Sequence, residues 1–197
     1  MTEELHAISH PRPLVLASSS PYRSQLLERL GLPFTVAAPE YEEEHDLVLP
    51  PDELVMELAR RKARSLTARF PDALIIGSDQ VAELDGSILL KPGSEDRARA
   101  QLSRLAGRTH RLLTGLVVHD SASDRVEQAL DVHRMTIRPL TLDHIAAYVA
   151  QEQPLDCAGS YRVEGTGIAL FTSMEGEDFT GIIGLPLTKL VTLLQRF

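Results

Sequence analysis

The sequence predicts an α/β fold with an elongated mixed sheet, flanking helices and two lobes around a cleft. Short apolar runs rich in Val, Ile and Leu, which are typical of buried strands, alternate with stretches of helical apolar spacing. No internal repeat, low-complexity tract or Gly/Ser linker interrupts the 197 residues, a length that suits one domain or two small lobes. We therefore expect a flexible N-terminal tail over residues 1–13 and a single domain over residues 14–197.

Strands and helices alternate through the first half of this domain. Ser20 followed by Pro21 is typical of a helix start, and Gly31 is a typical helix stop. We expect Asp52 to cap a longer helix that ends near Phe70. Its predicted apolar side consists of Leu54, Leu58, Ala59 and Leu66. The remaining predicted elements are strands over 14–18, 34–38 and 73–79 and a hairpin over 81–90.

The second half begins with a helix that Ser94 caps and that ends near Leu105. Two long β segments follow over residues 110–137, separated by the turn-prone stretch 121–124. Either Thr141 or Asp143 then begins a helix to about residue 151. The last predicted elements are a strand over 167–171, a glycine-rich loop through 184 and a helix from 186.

Composition excludes several classes of protein. The formal net charge of -8 argues against a protein that binds nucleic-acid polymers, because backbone binding requires clustered Lys and Arg. Cys157 is the only cysteine, which excludes an intrachain disulfide and indicates a cytosolic protein. The first residues have no apolar export signal, and 18 consecutive apolar residues occur nowhere, so we expect no membrane span.

Two segments have the chemistry of phosphate and cation binding. Ser18–Ser20 places hydroxyls and backbone N–H groups before a helix, where the dipole favours an anion, and Arg23 adds a guanidinium fork. The same segment also fits a serine-rich cap and turn. The acidic loop that contains Glu42 and Glu43 offers oxygen ligands for Mg²⁺ or Mn²⁺, although acidic loops are often simply solvated.

Asp79 is the strongest candidate for a general base. It is expected at the end of an apolar strand, where open α/β sheets bind their ligands, and its alternative role is a polar residue at the hairpin start. Lys62 and Lys91 could contribute charge to a bound polyphosphate. The sequence contains no P-loop, dinucleotide fingerprint, H-E-x-x-H or G-x-S-x-G motif. Val81 lies where an aspartyl-phosphate phosphatase needs a second acid, so Asp79 suits a base better than a nucleophile.

These segments, taken in order, resemble the Maf (septum-formation inhibitor) family of nucleotide pyrophosphatases. The segments that carry the resemblance are Leu16–Arg23, Ala38–Glu43, Lys62-Ala63, Ile76–Gln80, Lys91-Pro92, Thr114-Gly115, Cys157–Ser160, Glu164-Gly165 and Gly184–Leu187. The resemblance covers the chain from Leu14 to the C-terminal helix. It implies the elongated α/β fold of inosine-triphosphate pyrophosphatases (Maf/Ham1), with the substrate in a cleft between two lobes.

The resemblance also implies roles for individual residues. Asp79 matches the catalytic proton acceptor, and Glu42 and Glu43 match the loop associated with a divalent cation, Mg²⁺ or Mn²⁺. The positions that match phosphate-binding residues are Ser18, Arg23, Lys62 and Lys91. The implied reaction is attack of water on the α-phosphorus of a nucleoside triphosphate, which releases pyrophosphate.

Three further positions bear on the nucleotide. Tyr22, Gln80 and Glu164 match positions that separate the subfamilies, and this set resembles the group that hydrolyses 7-methyl-GTP. N7-methylation makes guanine cationic, so an aromatic face and a carboxylate would both attract the base. The alternatives are a dTTP/UTP pyrophosphatase of the same family and a non-catalytic nucleotide-binding regulator of cell division. A homodimer is left open.

Overall fold

The computed structural model describes residues 11–40 and 49–197, which form one mixed sheet and its covering helices. The strands are β1 (Leu14–Ala17), β2 (Phe34–Ala37), β3 (Leu74–Leu84), β4 (Ser87–Leu89), β5 (Thr109–Asp120), β6 (Val126–Ile137) and β7 (Phe171–Glu175). The α-helices are α1 (Pro21–Glu28), α2 (Pro51–Arg64), α3 (Glu95–Leu105), α4 (Leu142–Glu152), α5 (Phe179–Ile183) and α6 (Leu187–Leu194). Two short 3-10 helices lie at Ala158–Ser160 and Thr166–Leu170.

The sheet has seven strands in the order β2-β1-β3-β5-β6-β7, with β4 paired to β3. β1 is parallel to both β2 and β3, whereas the pairs β3–β4, β3–β5, β5–β6 and β6–β7 are antiparallel. This mixture confirms the predicted fold class. Among the described residues, no helix combines the length and the apolar character that a membrane span needs.

Apolar side chains divide the structure into two lobes along the long strands β3, β5 and β6. In the first lobe, α1 and α6 cover one face of β1 and α2 covers the other. In the second lobe, α3 and α4 pack with β4 and β7 against the opposite ends of the long strands. The predicted two-lobed arrangement is therefore confirmed, and the two lobes share the same sheet.

The edge of β3 is interrupted between the lobes. β1 pairs with β3 only as far as Gly77, and β4 pairs with it only from Ala82 onward. Within the described residues, the backbone of the stretch between these two positions pairs with β5 alone. The prediction that a strand ends at Asp79 is thus wrong for β3 itself, because pairing with β5 carries the strand through to Leu84. The strand that ends beside Asp79 is its neighbour β1.

Two glycines allow α2 to lie unusually close to the sheet. A Cβ atom at Gly77 would overlap the Ala59 carbonyl oxygen and lie 2.9 Å from the Ala63 nitrogen. A Cβ at Gly115 would similarly overlap the Val55 carbonyl. Because both strands present no side chain at these points, the helix backbone rests directly on β3 and β5.

Several predicted boundaries differ from the structure. α2 begins at Pro51 rather than after a capping Asp52, whose carboxylate instead accepts a hydrogen bond from Arg111, and it ends at Arg64. The buried α2 residues are Val55, Ala59, Lys62 and Ala63, whereas Leu54 and Leu58 are half-buried. The start of α3 at Ser94 and the long β5–β6 pair are confirmed.

Near the C-terminus, the predicted strand over 167–171 is wrong. Residues Thr166–Leu170 form a 3-10 helix and the strand starts at Phe171, because Gly167 packs against the Arg162 carbonyl. The predicted glycine-rich loop contains α5, which Gly184 ends at a positive φ of 116°. The tail boundary at residue 13 stays a prediction, since residues 1–10 lie outside the described part.

Replacing Gly77 with alanine should lower stability and activity together. The added methyl group must push α2 away from β3, and such overpacking costs about 1–3 kcal/mol. The free energy of unfolding in urea and the hydrolysis rate measure the two effects. Gly86→Ala is a matched control, because a Cβ at Gly86 meets no atom within 4 Å and only its φ of 78° is unfavourable. Full activity in Gly77→Ala would contradict the close packing.

The buried His110 should make stability depend on pH. Burial lowers the pKa of His110 from 6.5 to about 4, and its Nε2 lies 2.8 Å from the Tyr161 hydroxyl. As the pH falls, the unfolded chain therefore takes up a proton on His110 before the folded chain does. The stability that neutral His110 contributes is complete above the pKa of this residue in the unfolded chain, and it is lost as the pH falls toward 4. The slope should reach about 1.4 kcal/mol per pH unit.

Urea unfolding between pH 7 and pH 4.5 measures this loss of stability. His110→Gln should flatten the dependence, whereas His144→Gln, at an exposed position, should leave it unchanged. An equal slope in both variants would assign the effect to other groups.

Candidate active site

A cavity of about 770 Å³ opens between the lobes at the interruption in the β3 edge. It contains every described residue that the sequence marked as a candidate for catalysis, phosphate binding or specificity. These residues are Ser18, Tyr22, Arg23, Lys62, Asp79, Gln80, Lys91 and Glu164. The predicted metal ligands Glu42 and Glu43 lie outside the described residues. The predicted set, apart from the acidic loop, thus shares one cavity.

Asp79 and Lys62 form an ion pair on the floor of this cavity. Lys62 Nζ donates to Asp79 Oδ1, and the side chains are 11% and 13% exposed respectively. Lys62 reaches the sheet because α2 lies close against Gly77. Asp79 lies just beyond the end of β1 and lines the cavity. The Lys62 ammonium holds the carboxylate in place, within reach of a water molecule that approaches a bound phosphate.

The segment between β1 and α1 forms the next wall of the cavity. Ser18 is buried, and its Oγ accepts a hydrogen bond from the Ser20 N–H at 3.0 Å, so it is engaged in the turn. Ser20 occupies the N-cap position of α1, but its side chain makes no capping hydrogen bond. Ser19 and Ser20 line the cavity with Pro21 at the helix start. The hydroxyls and the positive end of α1 therefore face the ligand space.

Cationic side chains approach from both lobes. Arg23 Nε donates to the Gly184 carbonyl at 2.9 Å, which holds the guanidinium at the end of α5. Lys91 follows β4 on the other lobe and is exposed at the cavity rim. Together with Lys62, these side chains give the cavity cationic groups, which suit a polyphosphate.

Gln80 is held by a hydrogen-bond network behind the cavity. Its Nε2 lies 2.9 Å from Thr114 Oγ1 and 2.8 Å and 3.1 Å from the carbonyl oxygens of Gly181 and Ile182. Thr114 Oγ1 in turn donates to the Gly181 carbonyl at 2.9 Å. Because its amide nitrogen is fully engaged with β5 and α5, the orientation of Gln80 is fixed before any ligand binds.

Carboxylates also line the cavity. Burial, first, and then the nearby carboxylates of Asp156 and Glu164 raise the pKa of Cys157 to about 12, while Arg162 opposes them. Asp156 and Glu164 are exposed and line the cavity together with Cys157. Tyr22 and Glu164 therefore share one cavity.

Sequence reasoning missed Arg162, which lines the same cavity. Its Nη1 lies 3.3 Å from the Tyr22 hydroxyl oxygen, and its Nη2 donates to Glu152 Oε2 at 2.5 Å. The hydrogen bond with Tyr22, followed by Glu152, holds the pKa of Arg162 above its usual range. Arg162 lies only two residues before Glu164, a spacing that could have drawn attention to it. Its partners are distant in sequence, and no local pattern indicates them.

Comparison with known proteins finds relatives that match nearly the whole chain. The chain is 51% identical over 185 residues to a 7-methyl-GTP pyrophosphatase of Syntrophotalea carbinolica, covering 93% of this chain and 94% of that protein. It is 49% identical over 181 residues to a 7-methyl-GTP pyrophosphatase of Pseudomonas aeruginosa, covering 92% and 94%.

The structure also resembles a HAM1 protein from Coxiella burnetii, with a TM-score of 0.52 at 15% identity over 94% of this chain and 100% of that one. This likeness supports the fold alone. Residues 13–197 match the family of Maf-like proteins, so this chain belongs to the Maf family.

Proposed function

We propose that this protein hydrolyses 7-methyl-GTP to 7-methyl-GMP and pyrophosphate in the cytoplasm, and so removes modified nucleotides from the pool. The observation that carries the proposal is a single cavity lined by the Lys62–Asp79 pair, by Tyr22 and by the carboxylates of Asp156 and Glu164. A triphosphate needs cationic side chains, and a cationic base favours an aromatic ring and carboxylates. The names of two relatives about half identical to the chain support the same substrate.

The chemical step proposed is in-line hydrolysis at the α-phosphorus. Asp79 takes a proton from water, whose oxygen forms a bond to the α-phosphorus while the bond from that phosphorus to the bridging oxygen breaks. Pyrophosphate leaves with the electron pair of that bond. Lys62, Arg23 and Lys91 offset the charge on the phosphates, and Lys62 also fixes the Asp79 carboxylate. No covalent intermediate is required.

The residues present are compatible with a divalent cation. The described part of the chain has no group of three or more His, Cys, Asp or Glu that could hold an ion. Mg²⁺ and Mn²⁺ often use only one or two carboxylates together with substrate phosphates, and Asp79 is one carboxylate in the cavity. Glu42 and Glu43, which lie outside the described residues, are proposed as the further ligands. A bound cation would supply further charge neutralisation on the phosphates.

The base would lie against Tyr22 and near Glu164. N7-methylguanine is cationic, so the Tyr22 ring would add a cation–π attraction of about 0.5–2 kcal/mol. Glu164 would accept guanine N–H hydrogen bonds and attract the same positive charge. Gln80, held by Thr114 and α5, is proposed to fix the position of the nucleotide in the cavity.

Asp79→Asn should abolish hydrolysis while nucleotide binding remains. Loss of a general base lowers the rate by about 10²–10⁴-fold, and the amide keeps the size of the side chain. Steady-state kinetics gives the rate, and calorimetry with 7-methyl-GTP gives the affinity. Asp85→Asn in the exposed β3–β4 turn is the matched control and should retain full activity. Unchanged turnover in Asp79→Asn would reject Asp79 as the base.

Pyrophosphate release from 7-methyl-GTP, GTP, UTP, dTTP and 5-methyl-UTP tests the substrate. We expect preference for 7-methyl-GTP, dependence on Mg²⁺ or Mn²⁺, and loss of activity on chelation. Glu164→Gln should reduce the preference for 7-methyl-GTP over GTP, because the cationic base loses its carboxylate partner. Equal turnover of 7-methyl-GTP and UTP would overturn the specificity.

The same measurement separates the alternatives. Preference for dTTP or UTP would favour a pyrimidine-directed pyrophosphatase of this fold. Binding without turnover of any nucleotide would favour a regulator of cell division. The Lys62–Asp79 pair in the cavity favours catalysis, because a protein that only binds has no need of a base there. Association into a homodimer stays open.

A further inference from the structure

Arg162 connects the two lobes next to Tyr22, where the nucleotide base is proposed to bind. Tyr22 lies in the first turn of α1, which belongs to the first lobe. Arg162 follows the buried Tyr161 of the second lobe. The bond from Arg162 Nη1 to the Tyr22 hydroxyl, at 3.3 Å, therefore spans the cleft and connects residues 140 positions apart.

Arg162 is itself held firmly by its own lobe. Its Nη2 donates to Glu152 Oε2, and its backbone N–H donates to the Tyr148 hydroxyl at 3.0 Å. The other Glu152 oxygen accepts from the backbone and the hydroxyl of Thr166 at 2.9 Å and 2.7 Å. A Cβ at Gly165 would lie 2.6 Å from Glu152 Oε2, so the carboxylate occupies space that glycine leaves open. The guanidinium is thus fixed before it reaches Tyr22.

The charge of Arg162 is offset where it would otherwise oppose a cationic base. Glu152 forms a direct ion pair with the guanidinium, with its own side chain 8% exposed. Glu164 and Asp156 therefore keep their attraction for the base. Arg162 can therefore contribute a directional hydrogen bond to the hydroxyl oxygen of Tyr22. Phenylalanine and tryptophan offer no oxygen acceptor at this position.

We propose that Arg162, fixed by Glu152, is a positioning residue that holds the Tyr22 ring across the cleft as the stacking wall for the nucleotide base. The inference deepens the proposed function and rests on it for the identity of the base. The bond orders the ring in advance, so the nucleotide does not bear the entropy cost of ordering it on binding. Removing the bond should weaken binding and leave the chemical step at Asp79 intact.

A double-mutant cycle on Tyr22→Phe and Arg162→Met tests this role. Each single variant should raise KM for 7-methyl-GTP by about tenfold, the loss expected for a hydrogen bond to a charged group, with kcat nearly unchanged. The double variant should be no worse than either single variant, because both remove the same bond. In a Tyr22→Trp background, which has no oxygen acceptor, adding Arg162→Met should have little further effect. Arg104→Met, on the exposed side of α3, is the matched control.

Other roles of Arg162 give different results. If Arg162 contacted the nucleotide directly, its loss would lower affinity equally in the Tyr22→Phe background, and additive losses would overturn the proposal. A purely structural role would lower the free energy of unfolding of Arg162→Met with no change in KM, which would also overturn it.

Failure of the proposed function is recognisable separately. If the wild-type protein hydrolyses another triphosphate instead, the substrate assignment fails and the same cycle is run with that nucleotide. If no triphosphate is hydrolysed, the cycle is run on nucleotide affinity by calorimetry. Non-additive losses support the positioning role in every case.

Discussion

The close packing of α2 on two glycines is the constraint on which the Lys62–Asp79 pair depends. Gly77 and Gly115 let the helix backbone touch β3 and β5, and only at that separation does Lys62 reach Asp79. An ammonium and a carboxylate that are this shielded from water would each be costly alone, and their pairing offsets the cost. The same pairing fixes both groups where a polyphosphate must approach. Helix packing and catalysis are therefore coupled through backbone contact.

The interrupted edge of β3 explains why the cavity lies where it does. A sheet strand normally has a partner on each side, but β1 stops at Gly77 and β4 starts at Ala82. The residues between them, Asp79 and Gln80 included, keep one rigid partner in β5 and present the other edge to the cleft. Polar groups can face a ligand there without loss of regular structure, because β5 holds the backbone.

Sequence reasoning predicted most of the strands and helices and named the residues that line the cavity, but it did not show that Tyr22 and Glu164 share it. It succeeded where local patterns dominate, as at the Ser94 cap and in the apolar run of β3. It failed at Asp79, because the continuation of β3 depends on its pairing with β5, which no local pattern encodes. Arg162 escaped notice for the same reason, since its importance arises from Tyr22, 140 residues away. The α2 face was misjudged because the cleft leaves one side of the helix facing the cavity.

The charge around the proposed base site depends on which charged side chains form ion pairs with each other, and not on how many there are. The positive charge of Arg162 is paired with Glu152. The exposed carboxylates of Glu164 and Asp156, in contrast, have no cation bonded to them among the described residues. A neutral base would gain little from these carboxylates beyond hydrogen bonds, but a cationic base gains Coulomb attraction as well. Lys62, Arg23 and Lys91 line the same cavity and would attract phosphates. The cavity therefore offers both cationic and anionic side chains, and a ligand with an anionic tail and a cationic head has partners for both.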